Sequence, residues 1–266
     1  MLILVFIITM ALCAVLAVGQ NSRVYESEQL DRVGYGDVTS WIIEQPGVEE
    51  LIDQIEELRG TEKTERQKIK QVLYKAGKKQ TQNNGMLAVY EPENYDYYIY
   101  KEDLTGIQKN PKEPKDGEMY VSPSFITMYG VDIGDSVEIQ IAGEEKQMRF
   151  TIRGFFEDPF AGSSMMGVKT MLINKASMEE LEQNALMAGD ASTVADAEML
   201  HIFQKKDSGQ KTKEFIKELN ENTDLKNYTY RSYSKTTIEG FMLIAQNIFV
   251  GFFLVFVTVL VVVAWY

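Results

Sequence analysis

SVEIQIAGEEKQMRFTIRGF, residues 136–155, is the stretch that decides the fold class. Apolar and polar side chains alternate over 136–141 and again over 147–155, which is the period-two pattern of half-buried strands. The five residues between these runs contain Gly143 and have the length of a hairpin loop. The stretch therefore predicts two antiparallel strands joined by a short connection.

Further short elements surround this hairpin and extend it into a β-rich insert. We expect a strand at 118–122, a short helix at 123–129, a turn at 132–135, a strand at 171–174 and a helix at 177–186. A polar, proline-marked connector at 110–117 precedes them. Together these elements predict a β-rich insert over about residues 117–176.

Segments of mixed helix and strand lie on both sides of the insert. Upstream, the patterns predict a strand at 38–43, helices at 48–60 and 64–75, and strands at 86–90 and 95–100. Downstream, they predict a strand at 199–204, a helix at 212–219 and a strand at 228–233. Residues 19–236 are therefore predicted to form one large α+β domain, made of two mixed α/β segments and the β-rich insert.

Both ends of the chain are apolar. Residues 1–18 carry no charge, and residues 248–265 hold Thr258 as their one polar side chain. Eighteen helical residues span about 27 Å, close to the hydrocarbon thickness of about 30 Å. We expect a transmembrane helix at 1–18, and a stalk with a second transmembrane helix at 237–266 that begins with a Thr236–Glu239 capping box. Gln246 and Asn247, within the second helix, are expected to face another helix or the water interface.

The charges are confined to the middle of the chain. Residues 19–239 hold every acidic and basic side chain and the whole net charge of −12. An acidic balance argues against a nucleic-acid partner, since phosphate binding needs clustered cations. The basic stretch at 62–79 is interpreted as a solvated helix face rather than as a patch for anionic lipid. Cys13 is the single cysteine and lies in the first apolar run, where packing is its expected role.

Residue patterns for catalysis and for cofactor or metal binding are weak throughout. His201 is the single histidine and is expected to be structural. Residues 162–170 resemble a phosphate loop, but a valine separates the second glycine from the lysine and an apolar strand follows. Glu91, Glu93 and Asp96 do not have the spacing of a calcium loop. We therefore predict no catalytic, cofactor-binding or metal-binding residues and no cofactor.

Two motifs together resemble a known family. They are GEMYVSPSFITMYGVDIGDSVEI at 117–139 and FTIRGFFEDP at 150–159, which runs into the glycine-bounded segment 162–167. They are similar to the ectodomain of the MacB and FtsX class of ABC-transporter permeases. The wider layout agrees, because those subunits place a large mixed α/β ectodomain between their first and second membrane helices.

The resemblance implies a function and a location. It implies one half of a homodimeric or heterodimeric permease in the cell membrane, paired with a separate cytoplasmic ABC ATPase that hydrolyses the ATP. It also implies that the central domain is extracytoplasmic, and that ATP-driven closure is passed to it through the membrane helices by mechanotransmission. Such permeases have four or more membrane helices, so the chain is expected to be part of a longer polypeptide.

Two other classes of protein fit the same layout. The first is a two-helix membrane receptor with an extracytoplasmic ligand-sensing domain, which would need a pocket of convergent polar and aromatic groups. Tyr95, Tyr97, Tyr98 and Tyr100 are the cluster that could line one, although packing at an interface would also explain them. The second is a membrane-tethered enzyme. The sequence does not indicate the transported or sensed substrate.

Overall fold

The computed structural model describes residues 2–43, 45–142, 146–162, 164, 167–188 and 194–265. Within them the helices are α1 Leu2–Arg32, α2 Val48–Glu56, α3 Ser124–Tyr129, α4 Lys175–Ala188, α5 Thr212–Asn222, α6 Leu225–Tyr228 and α7 Lys235–Trp265. The strands are β1 Val38–Ile43, β2 Thr61–Ala76, β3 Lys79–Val89, β4 Glu118–Val121, β5 Ser136–Ala142, β6 Lys146–Phe155, β7 Val168–Ile173, β8 Val194–Gln204 and β9 Thr229–Ser234. The predicted α+β class is confirmed.

All nine described strands belong to one sheet, in the order β3-β7-β4-β6-β5-β2-β8-β1-β9. An additional pairing of β3 with β2 closes six of these strands, β3, β7, β4, β6, β5 and β2, into a barrel. The hairpin predicted from residues 136–155 forms the antiparallel pair β5–β6 of this barrel, with Ile139 opposite Met148. Strands from both sides of residue 117 lie in the barrel, and the subdivision at about 117–176 stays a prediction.

Three apolar clusters form the core. The first fills the barrel with side chains such as Tyr74, Phe150 and Ile152, and Leu181 of α4 joins it. The second packs Ile42 of β1 and Leu200 of β8 against α2 and α5. The third is rich in tyrosine and lies between the barrel and the connection from α1 to β1. The amphipathic helix predicted at 48–60 is confirmed as α2, whose buried residues recur at three and four positions.

The helix predicted at 64–75 is wrong, because these residues belong to the 16-residue strand β2. Ile69 and Val72 are buried, and their three-residue spacing imitates a helical face. The spacing arises because the partner on one side of β2 changes from β8 at residues 61–72 to β5 at residues 73–76. At this change the buried side chains switch from one face of the strand to the other. Hydrogen bonds along both edges favour a strand over a helix.

Two further local predictions are corrected. Residues 95–100 form only isolated bridges, at Ile99 and Tyr100, instead of a strand. The last helix is capped by Ser234 rather than by Thr236, since the amide of Thr237 donates to Ser234 Oγ at 3.2 Å. Ser234 is the last residue of β9, so the strand passes directly into α7.

Helices form at both ends, and each extends beyond its predicted bounds towards the domain. The helix α1 continues to Arg32, well past the apolar run, and α7 begins at Lys235. Among the described residues, no helix combines the length and the apolar character needed to cross a bilayer. The structure therefore does not confirm transmembrane helices at 1–18 and 237–266.

Candidate functional site: the helix–sheet junction

The end of α1 and the start of α7 meet the sheet at one place, which we call the junction. It comprises α1 residues 25–32, the connector 33–37, the start of α7 and the segment 96–100. The connector enters the sheet through Asp37, whose amide donates to the carbonyl oxygen of Ile202 at 2.9 Å. Its carboxylate accepts the amide of Gln204 at 2.8 Å. The connector is therefore bound to the end of β8 through backbone and side chain.

Lys235 joins the two long helices to this connector. Its amide donates to the carbonyl oxygen of Asp37 at 3.0 Å, and its ammonium lies 3.3 Å from the Asp37 carboxylate. The same ammonium donates to the carboxylate of Asp31 on α1. Burial alone would lower the pKa of Lys235, but the two carboxylates outweigh it and raise the pKa. One ammonium thus links α1, the connector and α7.

Arg32, the last residue of α1, makes a second link. Its guanidinium lies over the ring of Tyr98, donates to the carbonyl oxygen of Asp96 and lies 3.7 Å from that residue's carboxylate. Burial lowers the pKa of Arg32, while the neighbouring Tyr98 and Asp96 oppose this shift. A stacked guanidinium loses its geometry if either element moves, so this contact fixes α1 against residues 96–98.

A third link lies two turns earlier on α1. Glu157 accepts hydrogen bonds on Oε2 from the hydroxyl of Tyr25, at 3.0 Å, and from that of Tyr100. Burial and the adjacent Glu157 carboxylate raise the pKa of Tyr25 to about 12, so its hydroxyl stays a donor at neutral pH. Glu157 lies two residues after the end of β6, and the hydrogen bonds therefore connect α1 to the barrel.

The helices α1 and α7 run side by side beyond the junction. A Cβ atom built on Gly19 would lie 2.6 Å from Gln246 Cδ, so the two backbones approach closely there. Half-buried positions recur at helical spacing on both helices, at Ala11, Leu12, Val15 and Gly19 and at Gln246, Val250, Phe253 and Val257. They define one antiparallel seam. Of the two alternatives predicted for Gln246 and Asn247, another helix or the water interface, Gln246 fits the first, whereas Asn247 is exposed.

We expect Gly19→Leu to separate the helices, because the larger side chain would occupy the space that Gln246 now fills. Val15 and Val250 each lie four residues from this contact, on the same seam. A disulfide between cysteines introduced at both positions, in a Cys13→Ser background, should form readily in the parent and more slowly in the Gly19→Leu variant.

Gly251→Leu is the matched control for this measurement. A Cβ atom at Gly251 would meet no atom within 4 Å, so the same change should leave the cross-linking rate unaltered. Equal slowing in both variants would contradict a close approach at Gly19.

His201 lies behind the junction in the tyrosine-rich cluster. Its ring is fully buried, stacks on Tyr35 at 4.9 Å and places Nδ1 2.9 Å from the hydroxyl of Thr39. Burial lowers the pKa of His201 to about 3, which keeps the ring neutral. A neutral ring packed between aromatic side chains has a structural role.

The depressed pKa of His201 predicts an acid-sensitive fold. The unfolded chain binds a proton near the ordinary pKa of 6.5 and the folded chain does not, so this contribution to stability is complete above pH 6.5. It is lost progressively as the pH falls towards about 3. We expect the free energy of unfolding to fall by about 1 kcal/mol between pH 7 and pH 5.5 from this group. Denaturant titrations of the parent and His201→Gln should show a flatter dependence in the variant, and equal slopes would contradict the assignment.

The four tyrosines considered for a ligand pocket are packed instead. Tyr95 and Tyr97 are buried in the tyrosine-rich cluster, and the Tyr97 hydroxyl accepts from Gln67 at 3.1 Å. Tyr98 and Tyr100 are half-buried against α1, as described above. Packing at an interface is therefore the role that the structure gives them.

A cleft of about 480 Å³ lies elsewhere, between β2, β8 and α4. Several of its charged side chains pair with one another. Arg66 binds Glu198 through two hydrogen bonds, at 2.8 and 3.0 Å, and Lys70 lies 3.0 Å from Glu182. The basic stretch predicted as a solvated helix face thus lies on a strand, where at least these two cations form ion pairs.

The described residues in and near the phosphate-loop-like segment make contacts within the chain. Lys169 of the phosphate-loop-like segment is buried in β7 and donates to the carbonyl oxygen of Ala161 at 3.0 Å, while residues 163, 165 and 166 lie outside the described residues. Asp158 accepts the amides of Phe160 and Ala161, each at 2.9 Å, and so holds the turn before β7. Within the described ranges, no group of three or more His, Cys, Asp or Glu residues could hold a metal ion.

Sequence reasoning missed the junction itself. Asp31, Arg32, Asp37 and Lys235 are distant in sequence and follow no motif. The available signal was the placement of charges, because each apolar segment is flanked on the domain side by both acidic and basic residues.

Comparisons with known proteins gave structural neighbours only. No protein-family model and no curated protein matches the chain. The periplasmic region of MacB from Actinobacillus actinomycetemcomitans aligns over 82% of this chain and 97% of its own, at 9% identity and a TM-score of 0.35. The extracellular domain of the noncanonic ABC-type transporter YknZ from Gram-positive bacteria aligns over 70% of this chain and 96% of its own, at 9% identity and a TM-score of 0.32. At these values the functional case rests on the geometry of the chain itself.

Proposed function

We propose that this chain is a permease subunit of an ABC transporter of the mechanotransmission type. In this proposal the apolar halves of α1 and α7 lie in the cell membrane and the α+β domain lies outside the cytoplasm. A separate cytoplasmic ABC ATPase hydrolyses ATP, so the chain itself is not an enzyme. The chain works as one half of a permease dimer and transmits the movement of its membrane helices to its external domain.

The observation that carries this proposal is the junction. Two helices of 31 residues each leave the domain side by side. Lys235 joins both of them to the connector, and separate contacts at Arg32 and Glu157 tie α1 to the rest of the domain. A continuous α-helix of 31 residues is about 46 Å long and transmits displacement along its axis. Because β9 passes directly into α7, movement of that helix would act on β9 and then on its neighbour β1.

The surface of the helix pair supports a membrane location. Large apolar side chains are exposed along α7, namely Leu243, Ile244, Ile248, Phe249, Phe252, Leu254, Val255, Phe256, Val259 and Val262. On α1, Phe6, Met10 and Leu16 are exposed in the same way. A continuous apolar surface of this extent is costly in water and needs a cover. Lipid would provide that cover on every side of the pair at once.

The same geometry gives less support to a ligand-sensing receptor. Its candidate tyrosines pack against α1 and in the core, and the ion pairs of the cleft between β2, β8 and α4 are formed within the chain. A binding pocket instead needs polar groups that converge on an open space.

Isolation of the full chain from membranes of its source organism tests the proposal. We expect the tagged chain to stay with the membrane after alkaline carbonate extraction, and to be purified in mild detergent with an ATP-binding cassette subunit in a fixed ratio. Release by carbonate would contradict the membrane location. Purification with a histidine kinase or another signalling module, and without an ATPase, would contradict the permease assignment.

A further inference from the structure

Three stacked aromatic rings come from three separate parts of the chain. Tyr35 lies in the connector, three residues after α1 ends, and Tyr233 lies in β9, two residues before α7 begins. Phe160 lies between β6 and β7 of the barrel. Its ring stacks on that of Tyr35, with centroids 5.1 Å apart and planes at 8°, and on that of Tyr233, at 5.5 Å and 25°. Among the described residues, Phe160 is the one whose ring contacts both of these tyrosines.

Trp41 of β1 packs against the same stack from the side. Its ring meets that of Phe160 edge-on at 5.7 Å and that of Tyr233 edge-on at 5.4 Å. Stacked and edge-to-face rings attract one another at centroid distances of about 4.5 to 7 Å. Phe160, Tyr35 and Trp41 are all buried, and a close-packed interior transmits displacement. A shift of either tyrosine therefore acts directly on Phe160.

The turn at residues 158–162 attaches Phe160 to the barrel. Asp158 Oδ1 accepts the amides of Phe160 and Ala161, and the amide of Gly162 donates to the carbonyl oxygen of Asp158 at 3.0 Å. A Cβ atom at Gly162 would lie 2.3 Å from that same oxygen, so the turn is tight. Lys169 of β7 donates to the carbonyl oxygen of Ala161 at 3.0 Å. The turn is thus fixed to β7.

Phe160 gives α7 a shorter path to the barrel than the sheet does. Within the sheet, movement of α7 would pass from β9 through β1 and β8 before it reached β2, the first barrel strand on that side. The contact between Tyr233 and Phe160 joins β9 to the barrel directly. On the side of α1, the contact between Tyr35 and Phe160 adds an apolar link to the polar one at Glu157.

We propose that Phe160 is the coupling residue through which both long helices act on the barrel. A change in the spacing of the helices alters the spacing of Tyr35 and Tyr233, and the turn at 158–162 passes the resulting shift of Phe160 to β7. Because β7 pairs with β3 and β4, the displacement spreads around the barrel. This inference deepens the proposed function and rests on it.

A disulfide that fixes the helix pair tests the coupling. Val15→Cys and Val250→Cys are introduced into the full chain in the Cys13→Ser background, and hydrogen exchange is measured in detergent for the oxidised and the reduced form. The reporter segments are residues 158–162 and β7. The helix α5, which packs in the second apolar cluster, shows the change that comes from overall stability. Each variant is compared with its own reduced form, so a loss of stability caused by the substitution itself cancels.

Phe160→Leu removes the ring and keeps a large apolar side chain. Phe156→Leu is the matched control, because Phe156 is buried in the same cluster and lies four residues earlier. In the part of the chain that the structure describes, the ring of Phe156 contacts that of Tyr97, at 6.4 Å, and neither ring next to the long helices. The control therefore changes the packing of the cluster without interrupting the stack.

We expect the disulfide to slow exchange in the reporter segments by about 2- to 30-fold beyond its effect on α5, both in the parent and in Phe156→Leu. In Phe160→Leu the additional slowing should be less than about twofold. Slowing of the parent's size in Phe160→Leu, or loss of the slowing in Phe156→Leu as well, would overturn the role of Phe160 while transmission to the barrel stands. Absence of slowing in the parent would overturn the transmission on which the proposed function depends.

Discussion

Lys235→Met is expected to lower the free energy of unfolding by about 2 kcal/mol, because it leaves the Asp31 and Asp37 carboxylates without their shared ammonium. Loss of one partner from a fully buried pair costs about 3 to 5 kcal/mol. The value here is smaller because the side chain of Asp31 is 57% exposed and water screens it. Denaturant titration of the full chain in detergent, followed by tryptophan fluorescence, measures the change.

Lys217→Met is the control for this substitution. Lys217 forms an ion pair with Glu221 at 3.8 Å on α5, and both side chains are mostly exposed. Such a pair contributes about 0.3 to 0.5 kcal/mol at most. Similar losses in the two variants would show that Lys235 does not hold the junction together.

Gly36→Ala is expected to have the largest effect of all, about 3 kcal/mol or more. Gly36 lies in the connector with a φ of 65°, and a Cβ atom there would lie 2.6 Å from the carbonyl oxygen of Ile202. The strand β8 and the connector would have to move apart, which would break the hydrogen bond from the Asp37 amide to the same oxygen. Thermal unfolding of the full chain measures this loss.

Gly130→Ala separates the clash from the backbone strain. Gly130 has the same φ of 65°, but a Cβ atom there would meet no atom within 4 Å. We expect Gly130→Ala to cost about 1 to 2 kcal/mol from the left-handed backbone alone. If Gly36→Ala costs no more than this control, the close contact between connector and β8 is refuted.

Local patterns predicted the elements whose burial follows a single rule. In the hairpin at 136–155, apolar and polar side chains alternate because each strand keeps the same neighbouring strand on each edge. In α2, the apolar side chains form a clear stripe at residues 48–56. The strand β2 was mistaken for a helix because its partner changes along its length, which no local window can reveal. Closure of the barrel depends on the same strand and was therefore not predictable either.

The junction was unpredictable for a different reason. Lys235 and Asp31 are 204 residues apart, and their contact depends on how the sheet places the two long helices. Sequence did indicate that Gln246 needs a polar or helical neighbour, because an amide on an apolar helix is costly to leave against lipid.

The central claim is that the helix pair is rigidly joined to the sheet. Spin labels at Ile244→Cys on α7 and Leu186→Cys on α4, in a Cys13→Ser background in lipid bilayers, report on it directly, since both side chains are exposed. Pulsed electron paramagnetic resonance should give one narrow distance distribution for this chain and a broader one when Lys235→Met is added. A broad distribution with Lys235 intact would contradict the claim, because a flexible joint could not pass movement of the helices to the domain.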